Sequence, residues 1–245
     1  MADKEIDLTL FVACFNEQAN IEATLDTIAA ACREVGYSFE IVIIDDASSD
    51  RSVDVVKSYM EKNPDLLISL HVNEHNQGLG RNYTEAAFLG KGKWYRLVCG
   101  DNVESKETLV KILSQIGKAE LITSYRPQDV AGRSWRRRLL SRFFTALINF
   151  LSGHKLHYYN GLPLTTRYNV MRWHSNSHGF GFQADLITRL LDHGISYLEI
   201  PVTGQERKGG TSTALSWRNF FSVAHTLLNI AIRRIAKFVY GHGRN

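Results

Sequence analysis

The chain has 245 residues, 44% apolar and 22% charged, with a formal net charge of +4. That length can bury a full core in one main domain with appendages, and the composition excludes a polycation or a low-complexity chain. Three widely spaced cysteines (Cys14, Cys32, Cys99) exclude a disulfide framework or a zinc pattern and fit a reducing cytoplasm. No run reaches the roughly 20 uncharged apolar residues needed to span a bilayer. The opening MADKEIDLTLF places acids before its apolar stretch, unlike a signal peptide, so a soluble or peripheral protein is expected.

Leu8 to Cys14 reads as a first strand, followed by Phe15-Asn16-Glu17. Asn20 is placed to cap a helix carrying Ile21, Leu25, Ile28 and Ala29 on one face and stopping near Gly36. The stretch IVIIDDASSD (41–50) follows, four β-branched apolar residues ending in two acids and a small polar turn. Such a run suits a strand buried on both faces of a parallel sheet. Asp50 or Ser52 can cap the next helix, Val53 to Met60. Leu67 to Val72 make a third strand, and the polar loop NEHNQGLG (73–80) enters a helix at about Arg81 to Leu89. Trp94 to Cys99 form a fourth strand closed by Gly100-Asp101-Asn102. Leu109 to Ile116 are helical, and Glu120 to Thr123 make a short fifth strand. Strands alternating with helices at this spacing predict βαβ units and a mostly parallel α/β sheet.

Three strand ends then bring polar groups to one edge: Asn16/Glu17, Asp45/Asp46 and Asp101. Open α/β sheets bind ligands at that edge, and carboxylates there suit a ribose, a base, and a hard divalent ion on phosphates. The alternative is that Asp45, Asp46 and Asp50 cap and solvate a turn. Neither a Walker loop nor a GxGxxG motif is present, which disfavours an ATPase or a dinucleotide enzyme.

The segments FVACFNEQANI, IVIIDDASSD, NQGLGRN and CGDN occur in an order and spacing that resembles family-2 glycosyltransferases of the GT-A fold. Further on, TSYR (123–126), NGLPL (160–164), GFGFQADL (179–186) and EIPV…ERKGGTS (199–212) are similar to the polyprenyl-phosphate sugar transferase branch, as in dolichol-phosphate mannose synthase catalytic subunits. The resemblance covers roughly residues 8 to 215. It implies a GT-A, Rossmann-like domain over 1–215, with a candidate interfacial helix at 133–151 within it, and an amphipathic basic helix over 216–245.

The resemblance also implies roles. Phe15, Asn16, Glu17, Asp45 and Asp46, with Asn76 and Gly78 of the glycine-bearing loop, would hold the donor nucleotide. Asp101 matches the last acid of the family's DxD motif, which holds Mg²⁺ or Mn²⁺ on the diphosphate. The first acid is replaced by Cys99, a poor ligand for a hard ion, leaving Asp101 with Glu104 as possible help. Arg126 and Arg207 would face phosphate oxygens, where a planar guanidinium engages two at once. Thr213 stands where the family has a lysine and His157 where it has an acid, so acceptor-phosphate binding departs from the family's pattern. Asp185 would be the general base if the acceptor is a hydroxyl; a lipid phosphate needs none, and Asp185 would then serve its helix dipole. His174 and His178 have i, i+4 spacing, but the Ser-Asn-Ser between them reads as loop, so packing or surface roles are expected.

Two segments are basic and amphipathic. Arg126, Arg133, Arg136, Arg137, Arg138 and Arg142 face a single acid, Asp129, and RSWRRRLLSRFFTALINFL carries apolar residues at helical spacing. Trp217 to Tyr240 repeats the theme with Arg233, Arg234 and Lys237. Both fit an anionic membrane surface. Packing on the sheet or a homo-oligomer interface is the next reading, and nucleic acid the least favoured. The expectation is an inverting transferase moving a sugar from a nucleoside-diphosphate sugar to a polyprenyl phosphate at the cytoplasmic membrane face. A hydroxyl acceptor in a surface glycan and a non-catalytic nucleotide-sugar-binding scaffold are the alternatives.

Overall fold

The computed structural model describes residues 5–127, 135–173, 181–202 and 217–241, with 136–137 and 217–222 by backbone alone. Its elements run β1 (Leu8–Cys14), α1 (Ile21–Val35), β2 (Phe39–Asp45), α2 (Ser52–Lys62), β3 (Ile68–Val72), α3 (Leu79–Leu89), β4 (Trp94–Cys99) and α4 (Lys106–Leu113). They continue with β5 (Leu121–Tyr125), α5 (Trp135–Ser152), β6 (Leu164–Thr166), α6 (Arg167–Arg172), α7 (Phe182–Asp192), β7 (Tyr197–Pro201) and α8 (Trp217–Tyr240).

The strands form one seven-stranded sheet in the order β3-β2-β1-β4-β6-β5-β7. Every pairing is parallel except those of β6, which runs antiparallel between β4 and β5. Strand order reverses between β1 and β4, and such a switch point opens a crevice at the strands' carboxyl ends. Asn16/Glu17 and Asp101 flank it.

Both faces of the sheet are covered, which is why its strands read as unbroken apolar runs. Leu10, Val12, Ile41 and Ile43 point to a core shared with Ile21, Leu25 and Ile28 of α1 and Leu109 and Ile112 of α4. Phe11, Val42, Ile44 and Leu97 point to the opposite core, with Tyr83 of α3, Ile148 of α5, Phe182 and Leu186 of α7, and Ile230 of α8. Arg96 is the exception within β4. It is fully buried and meets Glu104 through two bonds of 2.9 and 2.7 Å, the paired geometry a buried guanidinium requires.

The caps explain where the helices differ from expectation. α1 ends as predicted on Gly36, whose left-handed φ of 78° lets its N–H reach the Cys32 carbonyl. Asn20 does not cap α1 with its side chain; its amide donates instead to Glu17 Oε2 at 2.9 Å. α4 starts three residues before the predicted Leu109 because Ser105 accepts from Thr108 N–H.

α5 and α8 pack on one another and on the second core through Ile148 and Ile230. On their outer faces Trp135, Leu139, Leu140, Phe143 and Phe150 of α5, and Leu228, Ile232, Ile235, Phe238 and Val239 of α8, are exposed. The packing reading therefore holds for one face of each helix only. Among the described residues no helix is long and apolar enough to cross a membrane.

Candidate active site

The β1 and β2 ends are joined into a single hydrogen-bonded edge. Asn16 N–H donates to Ser48 Oγ and Glu17 N–H to Ser52 Oγ, each at 2.8 Å, while Ser49 N–H donates to Asn16 Oδ1 at 2.8 Å. Asp45, almost fully buried, accepts from Ser48 N–H at 2.9 Å and Ser48 Oγ at 2.6 Å. Asp46 accepts from Asn73 Nδ2, Gln77 N–H and Gly78 N–H at 2.9, 2.7 and 2.9 Å, and Asn76 Nδ2 donates to its carbonyl at 3.2 Å. Asp50 accepts from Gln18 N–H and from Ser52 N–H; neither it nor Ser52 is the N-cap of α2, which is Arg51 and makes no side-chain cap bond. These carboxylates therefore shape the loops. An ionised carboxylate offers about four lone-pair sites, so Asp45 retains room for a ligand donor and Asp46 has less. Phe15 is half exposed beside them.

Backbone strain gathers at the same edge. Among the described residues the non-glycine positions with positive φ are Asn16 (56°), Ala47 (64°), Asn102 (51°) and Leu162 (47°), the first three two or three residues beyond the ends of β1, β2 and β4. Each costs on the order of 1–3 kcal/mol and persists only where its surroundings over-determine it, as they do at ligand sites. Gly78, at φ 84° and ψ 152°, occupies a region open essentially to glycine alone, and this conformation accompanies its N–H bond to Asp46.

Beyond β4 and β5 lies a cleft of about 670 Å³. Its walls include Cys99, Asp101 and Glu104 after β4, Arg126 after β5, and Arg138, Ser141, Arg142, Thr145 and Asn149 along one stripe of α5. His157, Asn160 and Leu162 of the loop before β6 complete it. Arg126, Arg138 and Arg142 form no ion pair with any described residue. Glu104 is held by Arg96, so three guanidiniums confront Asp101 as the remaining uncommitted acid. His157 stacks on Tyr125 at 4.5 Å between centroids and shares a hydrogen bond of 2.8 Å from Nδ1 to Glu199.

Asp101 Oδ1 is buried without a hydrogen-bond partner. A hard divalent ion takes one or two carboxylates together with substrate phosphates, so this atom fits one of its positions. Cys99 does not: burial first, then the charges of Asp101 and Glu104, push its thiol up to about 12, so it stays a neutral thiol. Glu104 has both oxygens committed to Arg96. Among the described residues no group of three or more His, Cys, Asp or Glu could hold an ion.

Asp185 stands apart from the cleft. It is 1% exposed and bonded to Arg189 of its own helix at 3.1 Å and to Arg233 of α8. Its carboxylate joins α7 to α8, and Arg233 also donates to Thr188 Oγ1 at 2.6 Å. Arg207, Thr213, His174 and His178 lie outside the described residues. Arg138 and Arg142 are cleft residues that the sequence reading assigned to a membrane surface. Their signal was present in the spacing, since positions 138, 142, 145 and 149 share one helical stripe.

Comparison with known proteins identifies the fold and the family. Polyprenol monophosphomannose synthase of Mycolicibacterium smegmatis is 26% identical over 219 residues, covering 83% of this chain and 79% of that protein. An undecaprenyl-phosphate 4-deoxy-4-formamido-L-arabinose transferase of Edwardsiella ictaluri is 24% identical over 217 residues, covering 84% of this chain and 62% of that protein. Glucosyl-3-phosphoglycerate synthase from Mycobacterium tuberculosis, in complex with Mn²⁺, UDP and glucosyl-3-phosphoglycerate, superposes with a TM-score of 0.72 at 15% identity, covering 92% of this chain and 80% of that one. The mannosyltransferase PcManGT from Pyrobaculum calidifontis, in complex with GDP-Man and Mn²⁺, gives 0.60 at 16% identity, covering 99% and 77%. These two likenesses establish the GT-A fold. The Glycosyl transferase family 2 model matches residues 9–173, well over half of the chain, and the protein belongs to that family of glycosyltransferases.

Proposed function

We propose that the protein transfers a sugar from a nucleoside-diphosphate sugar to a polyprenyl phosphate at a membrane surface, with inversion at the anomeric carbon. The observation that carries this reading is the stripe of α5. One side of the helix brings Arg138 and Arg142 into the cleft with Arg126 and Asp101, and another leaves Leu139, Leu140 and Phe143 exposed. One element thus joins a phosphate-binding wall to a lipid-facing surface. Arginines without ion-pair partners suit phosphate, which a guanidinium binds through two oxygens. Basic residues beside exposed apolar ones suit an anionic interface, and α8 adds Lys237 to that surface.

The chemistry follows from the charges. A phosphate oxygen of the acceptor attacks the anomeric carbon from the face opposite the departing diphosphate; the new C–O bond forms as the old one breaks. The attacking group is already an anion, so no proton is removed and no base is required. Asp185, fixed in its pairs with Arg189 and Arg233, is not needed. Arg126, Arg138 and Arg142 orient the acceptor phosphate and offset the repulsion between two anionic substrates. The β1–β2 edge, through Asn16, Glu17 and Asp45, receives the nucleoside. A divalent ion held by Asp101 would neutralise charge on the leaving diphosphate.

The test uses purified full chain, vesicles of anionic phospholipid carrying a polyprenyl phosphate, and UDP- and GDP-sugars. Formation of a sugar-phosphate lipid that depends on Arg142 supports the reading. Transfer confined to a soluble glycan hydroxyl, or turnover abolished by Asp185→Asn while donor binding persists, overturns it.

A further inference from the structure

The replacement of an acid by Cys99 leaves Asp101 as one hard ligand where the family supplies two, and the cleft contains an oxygen suited to the vacancy. Asn160 Oδ1, like Asp101 Oδ1, is buried and accepts no hydrogen bond from any described residue. Both residues line the same cleft. Two buried acceptor atoms without donors are costly unless something positive meets them.

Asn160 is held in place by its neighbours. Gly161 O accepts from Ser124 N–H at 3.3 Å and Ser124 Oγ at 2.8 Å. A Cβ at position 161 would stand 2.0 Å from the Ser124 carbonyl, so the loop can lie this close to β5 only with glycine there. On the other side β6 pairs with β4 in the register Trp94↔Thr166, Tyr95↔Thr165, Arg96↔Leu164. The ladder ends there, and Leu162 at φ 47° turns the chain, so Asn160 belongs to the loop that lies over the β5 end and lines the cleft together with Asp101. Asn160 therefore stands between the β4 and β5 ends, where the donor diphosphate belongs if the function proposed above holds.

We propose that Asn160 Oδ1 and Asp101 Oδ1 are the protein's oxygen pair for a hard divalent cation, with the amide taking over from the carboxylate lost at Cys99. An amide oxygen is a hard ligand suited to Mg²⁺ or Mn²⁺, whereas a thiol is not. The pair carries one negative charge instead of two, which predicts a weaker ion site that depends more on the phosphates of the bound nucleotide.

The experiment is titration of the full chain with MnCl₂, following the free-ion signal by electron paramagnetic resonance, alone and with UDP or GDP. Nucleotide affinity in EDTA is measured in parallel. Asn160→Ala is expected to weaken Mn²⁺ at least tenfold with nucleotide affinity in EDTA unchanged, and Asn160→Asp to tighten Mn²⁺ several-fold. If Asn160→Ala fails to fold, Asn160→Asp alone decides, because unchanged affinity there contradicts the proposal. Unaltered Mn²⁺ binding in both variants, or no Mn²⁺ binding by the wild type, overturns it. So does an Asn160→Ala variant that loses affinity for the nucleotide sugar but not for the nucleotide, since that assigns the amide to a sugar hydroxyl. If the cation pair falls, nucleotide binding that persists in EDTA keeps the transferase reading standing; loss of nucleotide binding in every condition removes that reading itself.

Discussion

The two halves of the candidate site treat their polar groups in opposite ways. At the β1–β2 end, Asp45, Asp46 and Asp50 each accept at least two hydrogen bonds from their own loops. Beyond β4 and β5, Asp101 Oδ1 and Asn160 Oδ1 accept none, and Arg126, Arg138 and Arg142 pair with no described acid. The first region uses its charges to hold strained backbone at Asn16 and Ala47, forming a preshaped edge. The second leaves its groups uncommitted at a cost in folding free energy, the pattern of a site whose partners arrive with substrate. Residues of the first kind should affect stability when replaced, and residues of the second should affect turnover.

The largest effect is expected at Asp101. Asp101→Asn keeps the shape but loses the charge facing the diphosphate. Turnover should fall at least 10²–10³-fold, about 3–4 kcal/mol in the barrier, the scale seen when one electrostatic stabiliser is removed. The melting temperature should hold, because Oδ1 has no partner to lose. Loss of stability comparable to the loss of turnover would erase the contrast. Asp185→Asn should do the reverse. Breaking its buried pairs with Arg233 and Arg189 should cost about 3 kcal/mol of stability, the low end for such pairs because both arginines are partly exposed. Turnover measured well below the melting transition should stay within about threefold, since no proton is removed.

Arg142→Ala comes next. One guanidinium–phosphate contact is worth about 1.5–3 kcal/mol, so KM for the lipid acceptor should rise roughly tenfold to a hundredfold. KM for the donor and the melting temperature should not move, and an equal rise in both KM values would assign Arg142 to the diphosphate. Gly78→Ala returns to the satisfied end. A side chain at φ 84° and ψ 152° should cost about 1–3 kcal/mol and lower the melting temperature by roughly 2–4 °C per kcal/mol. An unshifted melting curve would show that the loop is not under the constraint its geometry implies.

What could be read from the sequence divides along the same line. β1 and β4 were bounded correctly because burial on both faces writes itself as an unbroken apolar run, and the edge at their ends followed from the βαβ rhythm. β6 left no such trace: three residues, Leu164 to Thr166, are squeezed between Pro163 and a helix, and its antiparallel course depends on the sheet already existing. The stripe of α5 was visible, but the cleft it would face was not, since helical periodicity says which residues share a side and nothing of what lies opposite. Asp185 shows the same limit, because its partner Arg233 is 48 residues away on a helix that packing alone brings back. Asp101 could be named from the resemblance. That Asp45 and Asp46 would be so heavily engaged by their own loops could not, since the donors are mostly backbone N–H groups set by turn geometry.

The smallest effect expected belongs to Asp50 and depends on pH. Burial alone would raise its carboxyl, but donation from the Ser52 hydroxyl and from the N–H groups of Gln18 and Ser52 outweighs burial and holds it below its ordinary value of 3.8. A depressed folded value means that the contribution to stability is present above the unfolded value and is lost as pH falls through the folded one. Asp50→Asn should therefore melt below the wild type at pH 7, and the gap should close as both are taken below pH 3.8. A gap at Asp50 that is the same at both ends of the range would mean that its hydrogen bonds do not distinguish the ionised from the neutral carboxyl. The satisfied edge would then owe its rigidity to packing against α1 and α2, not to its acids.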